Sequence, residues 1–160
     1  MKNKELTDEQ LLRYSRQIML PNIDIAGQEK ILNSTVLIVG LGGLGSPVAM
    51  YLASAGVGQL VLVDHDEVEL SNLQRQIIHS IDTVGESKVG SAKTRVAQLN
   101  PECDVITHNS KLSRDNVESL VQQVDIVIDC SDNFASRFTL NRACVQYKVP
   151  LVSGAAIRME

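Results

Sequence analysis

Apolar residues along this chain come in short unbroken runs rather than in long helical stripes. Thr35-Val36-Leu37-Ile38-Val39, Leu60-Val61-Leu62-Val63-Asp64 and Asp125-Ile126-Val127-Ile128-Asp129 are each five residues long and rich in β-branched side chains. Runs without polar alternation predict strands buried on both faces, as in a parallel sheet. Segments of helical character lie between them. Ser46-Pro47 offers an N-cap and first-turn pair for a helix over Val48 to Ala55 that stops at Gly56. Further helices are expected over 86–99, 114–123 and 135–147, and further strands over 105–108 and 149–152. This alternation predicts an α/β fold, a doubly wound and mainly parallel Rossmann-like sheet. Upstream, Thr7-Asp8-Glu9-Gln10 has the spacing of a capping box and predicts an N-terminal helix from about Asp8, limited by Pro21. Leu11, Leu12, Ser15, Ile18 and Met19 share one side of it. No repeat, linker or domain boundary is visible, so residues 1–160 read as a single domain.

Charge and cysteine content narrow the classes. Thr35 to Val63 carries no charge and exceeds the length of a membrane span. Gly40, Gly42, Gly43, Gly45, Pro47, Gly56 and Gly58 interrupt it, so it reads as strand–turn–helix–strand. Met1 to Asp8 lacks the apolar core of a secretory signal. A net charge of −4 argues against general binding of nucleic acid or anionic membrane. Cys103, Cys130 and Cys144 form neither a disulfide framework nor a Cys-x-x-Cys zinc pair, which points to a reducing, cytoplasmic setting. Cys130 reads as a small core residue rather than a nucleophile.

Chemistry concentrates where strands end. Gly40-Leu41-Gly42-Gly43-Leu44-Gly45 follows a strand, opens a helix and contains G-x-G-x-x-G. Such a turn lets backbone approach phosphate closely, and the helix start aims N–H groups at it. Asp64 ends the next strand, where a carboxylate accepts from ribose hydroxyls. The turn alone does not separate a dinucleotide from ATP. Arg75 in the polar loop Ser71 to Gln76, and Lys88 near a helix start, supply a cationic pair that suits a pyrophosphate leaving group. Asp129 and Asp132 follow a further strand, placed for ligand or Mg²⁺, with one of them expected to cap the helix after it.

Five segments in order resemble one family: Arg13 to Ile18, Gly40 to Gly45, Leu70 to Gln76, Gly85 to Lys88 and Asp129 to Asn133. Together they resemble the bacterial relatives of ubiquitin-activating enzymes, the adenylyltransferases of molybdopterin synthase and of the thiazole-forming sulfur carrier. The ending Val149 to Glu160 is most similar to the molybdopterin-synthase branch. The resemblance implies ATP-dependent adenylylation of the C-terminal glycine carboxylate of a small ubiquitin-like sulfur carrier ending in Gly-Gly. It implies that Gly40, Gly42, Gly43, Gly45, Asp64, Asn72, Arg75 and Lys88 hold the nucleotide. Asp132 would bind Mg²⁺ or orient the reacting groups, and Arg16 would reach the site of the other subunit in a homodimer. Members of the family extend further, with carrier-binding strands and often zinc-binding Cys-x-x-Cys pairs. The 160 residues therefore read as an N-terminal part that in isolation binds nucleotide poorly and does not adenylylate a carrier. A dinucleotide-dependent oxidoreductase and a non-catalytic interaction module are the alternatives. The first leaves Arg75, Lys88 and Asp132 without a task.

Overall fold

The computed structural model describes residues 4–156; Ile157 to Glu160 of the terminal motif lie outside the described residues. Five strands form one all-parallel sheet: β1 Thr35–Val39, β2 Gln59–Asp64, β3 Asp104–Asn109, β4 Ile126–Asp129 and β5 Leu151–Ser153. Their spatial order is β3-β2-β1-β4-β5. The chain therefore moves outward from β1 in one direction and later in the other, and the order reverses between β1 and β4. In such sheets ligands sit beyond the strand ends at this switch point.

Both faces are covered. Val36, Ile38, Leu60 and Leu62 pack on one side with α4 (Gly45–Ser54) and α5 (Lys88–Leu99). Leu37, Val39, Val61 and Val63 pack on the other with α6 (Arg114–Val121) and α7 (Phe134–Tyr147). Successive side chains of a strand point to opposite faces, so two-sided burial makes these runs apolar throughout. Among the described residues no helix is long and apolar enough to cross a membrane.

The N-terminal region departs from expectation. The helix opens at Thr7 with the capping box, but breaks at Tyr14 into α1 (Asp8–Arg13) and α2 (Ser15–Ile18). An unexpected helix follows, α3 (Asp24–Leu32). Leu12 and Met19 of the expected apolar side are 79% and 74% exposed, whereas Gln10 and Tyr14 are buried. The reason is that these helices dock through polar bonds onto the exposed ends of α4 and α5. The last carbonyls of any helix lack partners within it. Arg13 donates to Leu99 O, Gln28 Nε2 donates to Ala55 O at 2.9 Å, and Asn100 Nδ2 donates to Ala53 O at 2.8 Å and to Tyr14 Oη at 3.0 Å.

Three further boundaries shift. Helix α4 starts at Gly45, directly from the glycine turn, so Ser46 lies inside the helix; its hydroxyl donates to Leu41 O instead of capping. Ser87 caps α5 by accepting from Gly90 N. Neither Asp129 nor Asp132 caps α7; Asn133 does, accepting from Ser136 N at 2.9 Å.

Asn100→Ala should leave Tyr14 Oη and Ala53 O without this donor and cost about 1–3 kcal/mol of stability. Urea unfolding reads this directly, and an unchanged midpoint would remove Asn100 from the docking account.

Candidate active site

The C-terminal ends of β1, β2 and β4 frame a cleft of about 820 Å³. That is within the size range of small-molecule sites. Gly40, Gly42 and Gly43, Asp64, Asn72, Arg75, Lys88 and Asp132 all line it. Of the residues singled out in the sequence for a site, Gly45, Asp129 and Arg16 are not in the lining. Gly45 lies under the turn, and Arg16 is exposed on α2.

The glycines divide by task. Gly40 has φ +91°, and a Cβ on it would come within 2.8 Å of Cys130 O. A Cβ on Gly45 would stand 1.8 Å from Gly40 O, an impossible overlap. These two close the turn against β4 and start α4. Nothing crowds Gly42 or Gly43: the nearest atom to an added Cβ is 3.6 Å away at Gly42 and 3.7 Å away at Gly43. Their backbone N–H groups donate to no acceptor among the described residues. They are free donors on the cleft wall at a helix start, the arrangement that suits an anion.

Asp64 is nearly buried and anchors the turn. Its Oδ2 accepts from Leu41 N at 2.7 Å and its Oδ1 from Asp66 N at 2.9 Å. Each oxygen keeps a second lone pair for a ligand. Leu41 O is held from below by Ser46 Oγ and by His79 Nε2 at 3.1 Å. Burial pushes the His79 imidazole below the ordinary histidine range, the bond to Leu41 acting in the opposite sense.

The cations are held differently. Lys88 is buried at the start of α5, and its Nζ donates to Asp66 Oδ2 at 2.9 Å. Its own N–H also donates to Asp66 O at 2.9 Å. The hydrogen bond from Lys88 holds the exposed Asp66 carboxyl below its ordinary value. Arg75 is exposed, its stem carbons beside Gly43 and its guanidinium bonded to Ser71 O at 3.4 Å. Asn72 is buried, accepts from Gln76 Nε2 at 2.7 Å and donates to Glu69 at 3.2 Å.

Across the cleft, Asp129 is committed to the fold. Its Oδ1 accepts from Ser131 N at 3.0 Å and Ser131 Oγ at 2.6 Å, and its Oδ2 from Ser153 Oγ at 2.8 Å. It therefore ties β4 to β5. Asp132 is exposed and, among the described residues, accepts only from its neighbour Asn133 at 3.3 Å. Its carboxylate is open, which is what a divalent cation needs. Cys130 lies at the back of the cleft, and burial pushes its thiol up to about 11, which suits a packing residue and not a nucleophile.

Three site residues were not anticipated. Gln76 lies beside Gly42 with its side-chain oxygen buried and unpartnered among the described residues. Arg137 lines the cleft and ties Ser131 O at 2.7 Å to Gly154 O at 2.5 Å. Lys111 adds a cation from the loop after β3. Glycine spacing and strand ends do not mark them: Arg137 is placed partly by Gly154, 17 positions away, and Gln76 and Lys111 enter the lining from the loops after β2 and β3.

A model of the ThiF family matches residues 14–160. Molybdopterin-synthase adenylyltransferase of Escherichia coli strain K12 is 53% identical over 156 residues, covering 98% of this chain and 63% of that protein. The adenylyltransferase and sulfurtransferase MOCS3 of Drosophila grimshawi is 49% identical over 158 residues, covering 99% of this chain and 35% of that protein. The chain thus spans about a third to two thirds of the length of these relatives. Among solved structures, E. coli tRNA N6-threonylcarbamoyladenosine dehydratase in complex with ATP superposes with a TM-score of 0.88 at 30% identity, covering 98% of this chain and 65% of that one.

The two classes of glycine should separate on substitution. Gly45→Ala should unfold the chain or lower its melting temperature sharply, because a backbone clash cannot relax cheaply. Gly42→Ala should melt within a few degrees of the parent. Equal melting of the two variants in a thermal scan would contradict the division.

Proposed function

The chain belongs to the ThiF family, and we propose on that premise that it is the nucleotide-binding part of a longer adenylyltransferase. The substrate is ATP. The acceptor is the C-terminal glycine carboxylate of a small ubiquitin-like sulfur carrier serving molybdenum-cofactor biosynthesis, and pyrophosphate is released. The setting is the cytoplasm, which suits three free cysteines. The observation that carries this reading is the cleft itself. It joins unpaired Gly42 and Gly43 N–H groups to the cations Arg75 and Lys88 and the open carboxylate of Asp132. The identities to molybdopterin-synthase adenylyltransferase, and a structural relative solved with ATP, support it.

The chemistry follows from charge. The attacking carboxylate is already ionised at neutral pH, with a pKa of roughly 3.5, so no general base is required. Two anions must approach at the α-phosphate, so the protein's task is positioning and cationic stabilisation. Gly42 and Gly43 donate to phosphate oxygens, and Asp64 accepts ribose hydroxyls with its remaining lone pairs. Lys88 exchanges Asp66 for a phosphate oxygen, and Arg75 and Asn72 complete the grip. Asp132 is the fitting ligand for Mg²⁺, which when bound neutralises phosphate charge.

Arg16 belongs to the same proposal through a second subunit. It is exposed and lies away from its own cleft, and in a homodimer it serves the neighbouring one. Mixing Arg16→Ala and Asp132→Ala subunits of the full-length protein should restore part of the lost activity, since one site per mixed dimer keeps both groups. Absent recovery despite proven subunit exchange would end the trans assignment.

ATP–pyrophosphate exchange with a Gly-Gly-ended carrier is the direct test of function in the full-length protein. Arg75→Ala and Lys88→Ala should each lower turnover by about tenfold or more while changing ATP affinity less. Exchange at the parent rate in either variant would remove that residue from the machinery, and no exchange by the parent would refute the activity.

A further inference from the structure

We propose that His79 is a positioning residue: by holding the carbonyl of Leu41 from behind, it turns the N–H of Gly42 into the cleft. The inference rests on the nucleotide reading for its consequence, but on geometry for its cause.

His79 is only 7% exposed and touches nothing in the cleft. Both of its ring nitrogens are nonetheless engaged. Nε2 lies 3.1 Å from Leu41 O and Nδ1 lies 2.9 Å from Ser91 Oγ. A carbonyl oxygen can only accept, so Nε2 carries a proton, and Nδ1 faces the Ser91 hydroxyl, which also lies 2.9 Å from Thr83 Oγ1. Burial disfavours the cation, so the ring is the neutral Nε2–H tautomer and the Ser91 proton turns to Nδ1 rather than to Thr83 Oγ1. Asp64 and Lys88 are the charged groups facing it.

The peptide joining Leu41 to Gly42 is trans, as are all in the described chain. In a trans peptide the carbonyl and the following N–H point in opposite directions. Drawing Leu41 O inward therefore drives Gly42 N–H outward. Ser46 Oγ reinforces the same carbonyl at 3.3 Å, and Asp64 fixes the preceding Leu41 N–H at 2.7 Å. The two peptides flanking Leu41 are consequently held by three side chains. His79 reaches Leu41 across 38 positions of sequence, which no local motif does. Glycine at position 42 has no Cβ to restrict its backbone, so without such an anchor this peptide is free to rotate. The anchor supplies preorganisation, so the donor needs no reordering when an anion arrives.

The experiment uses the full-length protein and Mg·ATP as the probe. His79→Leu should weaken binding measured by calorimetry by about tenfold, the range set by one buried hydrogen bond. His79→Gln places an amide N–H near the position of Nε2 and should bind within about threefold of the parent. Equal loss in both variants would show a packing role only, and full affinity in a folded His79→Leu chain would overturn the proposal. A spectroscopic readout on the parent decides the arrangement even if His79→Leu does not fold. The ¹⁵N shifts of the ring should report the neutral Nε2–H tautomer, and the Gly42 amide should move in His79→Gln less than in His79→Leu. An Nδ1–H tautomer would overturn the proposal outright. If the parent binds no Mg·ATP, the nucleotide reading has failed, whereas the tautomer and the Gly42 amide still decide what His79 does.

Discussion

Because every strand runs in the same direction, every strand-to-helix connection leaves the sheet at one edge. That constraint determines where chemistry can occur. The glycine turn after β1, the acidic stretch after β2 and the Asp129–Asn133 turn after β4 are brought together although they span residues 40 to 133. The order reversal between β1 and β4 then opens a gap between connections that cross on opposite faces. The remaining features adapt to this gap: Asp129 and Arg137 brace one wall, and Asp64, Ser46 and His79 brace the turn.

The site separates groups that build the cleft from groups left free in it. Asp129 and Gly45 resemble ligand-binding residues in sequence, yet each is fully used by the fold. Asp132, Arg75 and the amides of Gly42 and Gly43 retain unused bonding capacity. Lys88 is intermediate, because its charge is balanced by Asp66 until a stronger anion replaces that carboxylate. An electrostatic site of this kind keeps its donors where charge develops and incurs little reorganisation.

The body of the sheet was legible in the sequence because burial on both faces leaves an unbroken apolar signature. Thr35 to Val39 was read to the residue, and β2 and β4 to within one. The glycine turn was legible because its backbone needs are local. Helix α3 was not, since it contains Gly27 and its buried residues are Gln28 and Leu32, so no apolar period marks it. The docking of α1 was misread for a related reason: its inward groups are Gln10 and Tyr14, held by polar partners some ninety positions away. Gln76, His79 and Arg137 escaped notice because a polar residue's burial depends on partners that only the tertiary fold supplies. Arg75 and Lys88 were legible as a cationic pair suited to a pyrophosphate leaving group, whereas the role of Arg16 came from family resemblance alone.

The excursion from Asp66 to Lys88 is closed at its base. Val68 N donates to Glu86 O, Gly85 N to Val68 O and Lys88 N to Asp66 O, each at 2.9 Å. These main-chain bonds form regardless of side-chain identity. They separate the placement of Lys88 from the course of the chain around Ile81–Thr83, although Gly85, with φ +88°, is held to glycine by its backbone. In evolutionary terms, the tip of this loop is a tolerant segment between two intolerant ones. Its exposed positions Ile81 and Asp82 can drift, and surface features can be added there, while the lysine at its end keeps its position.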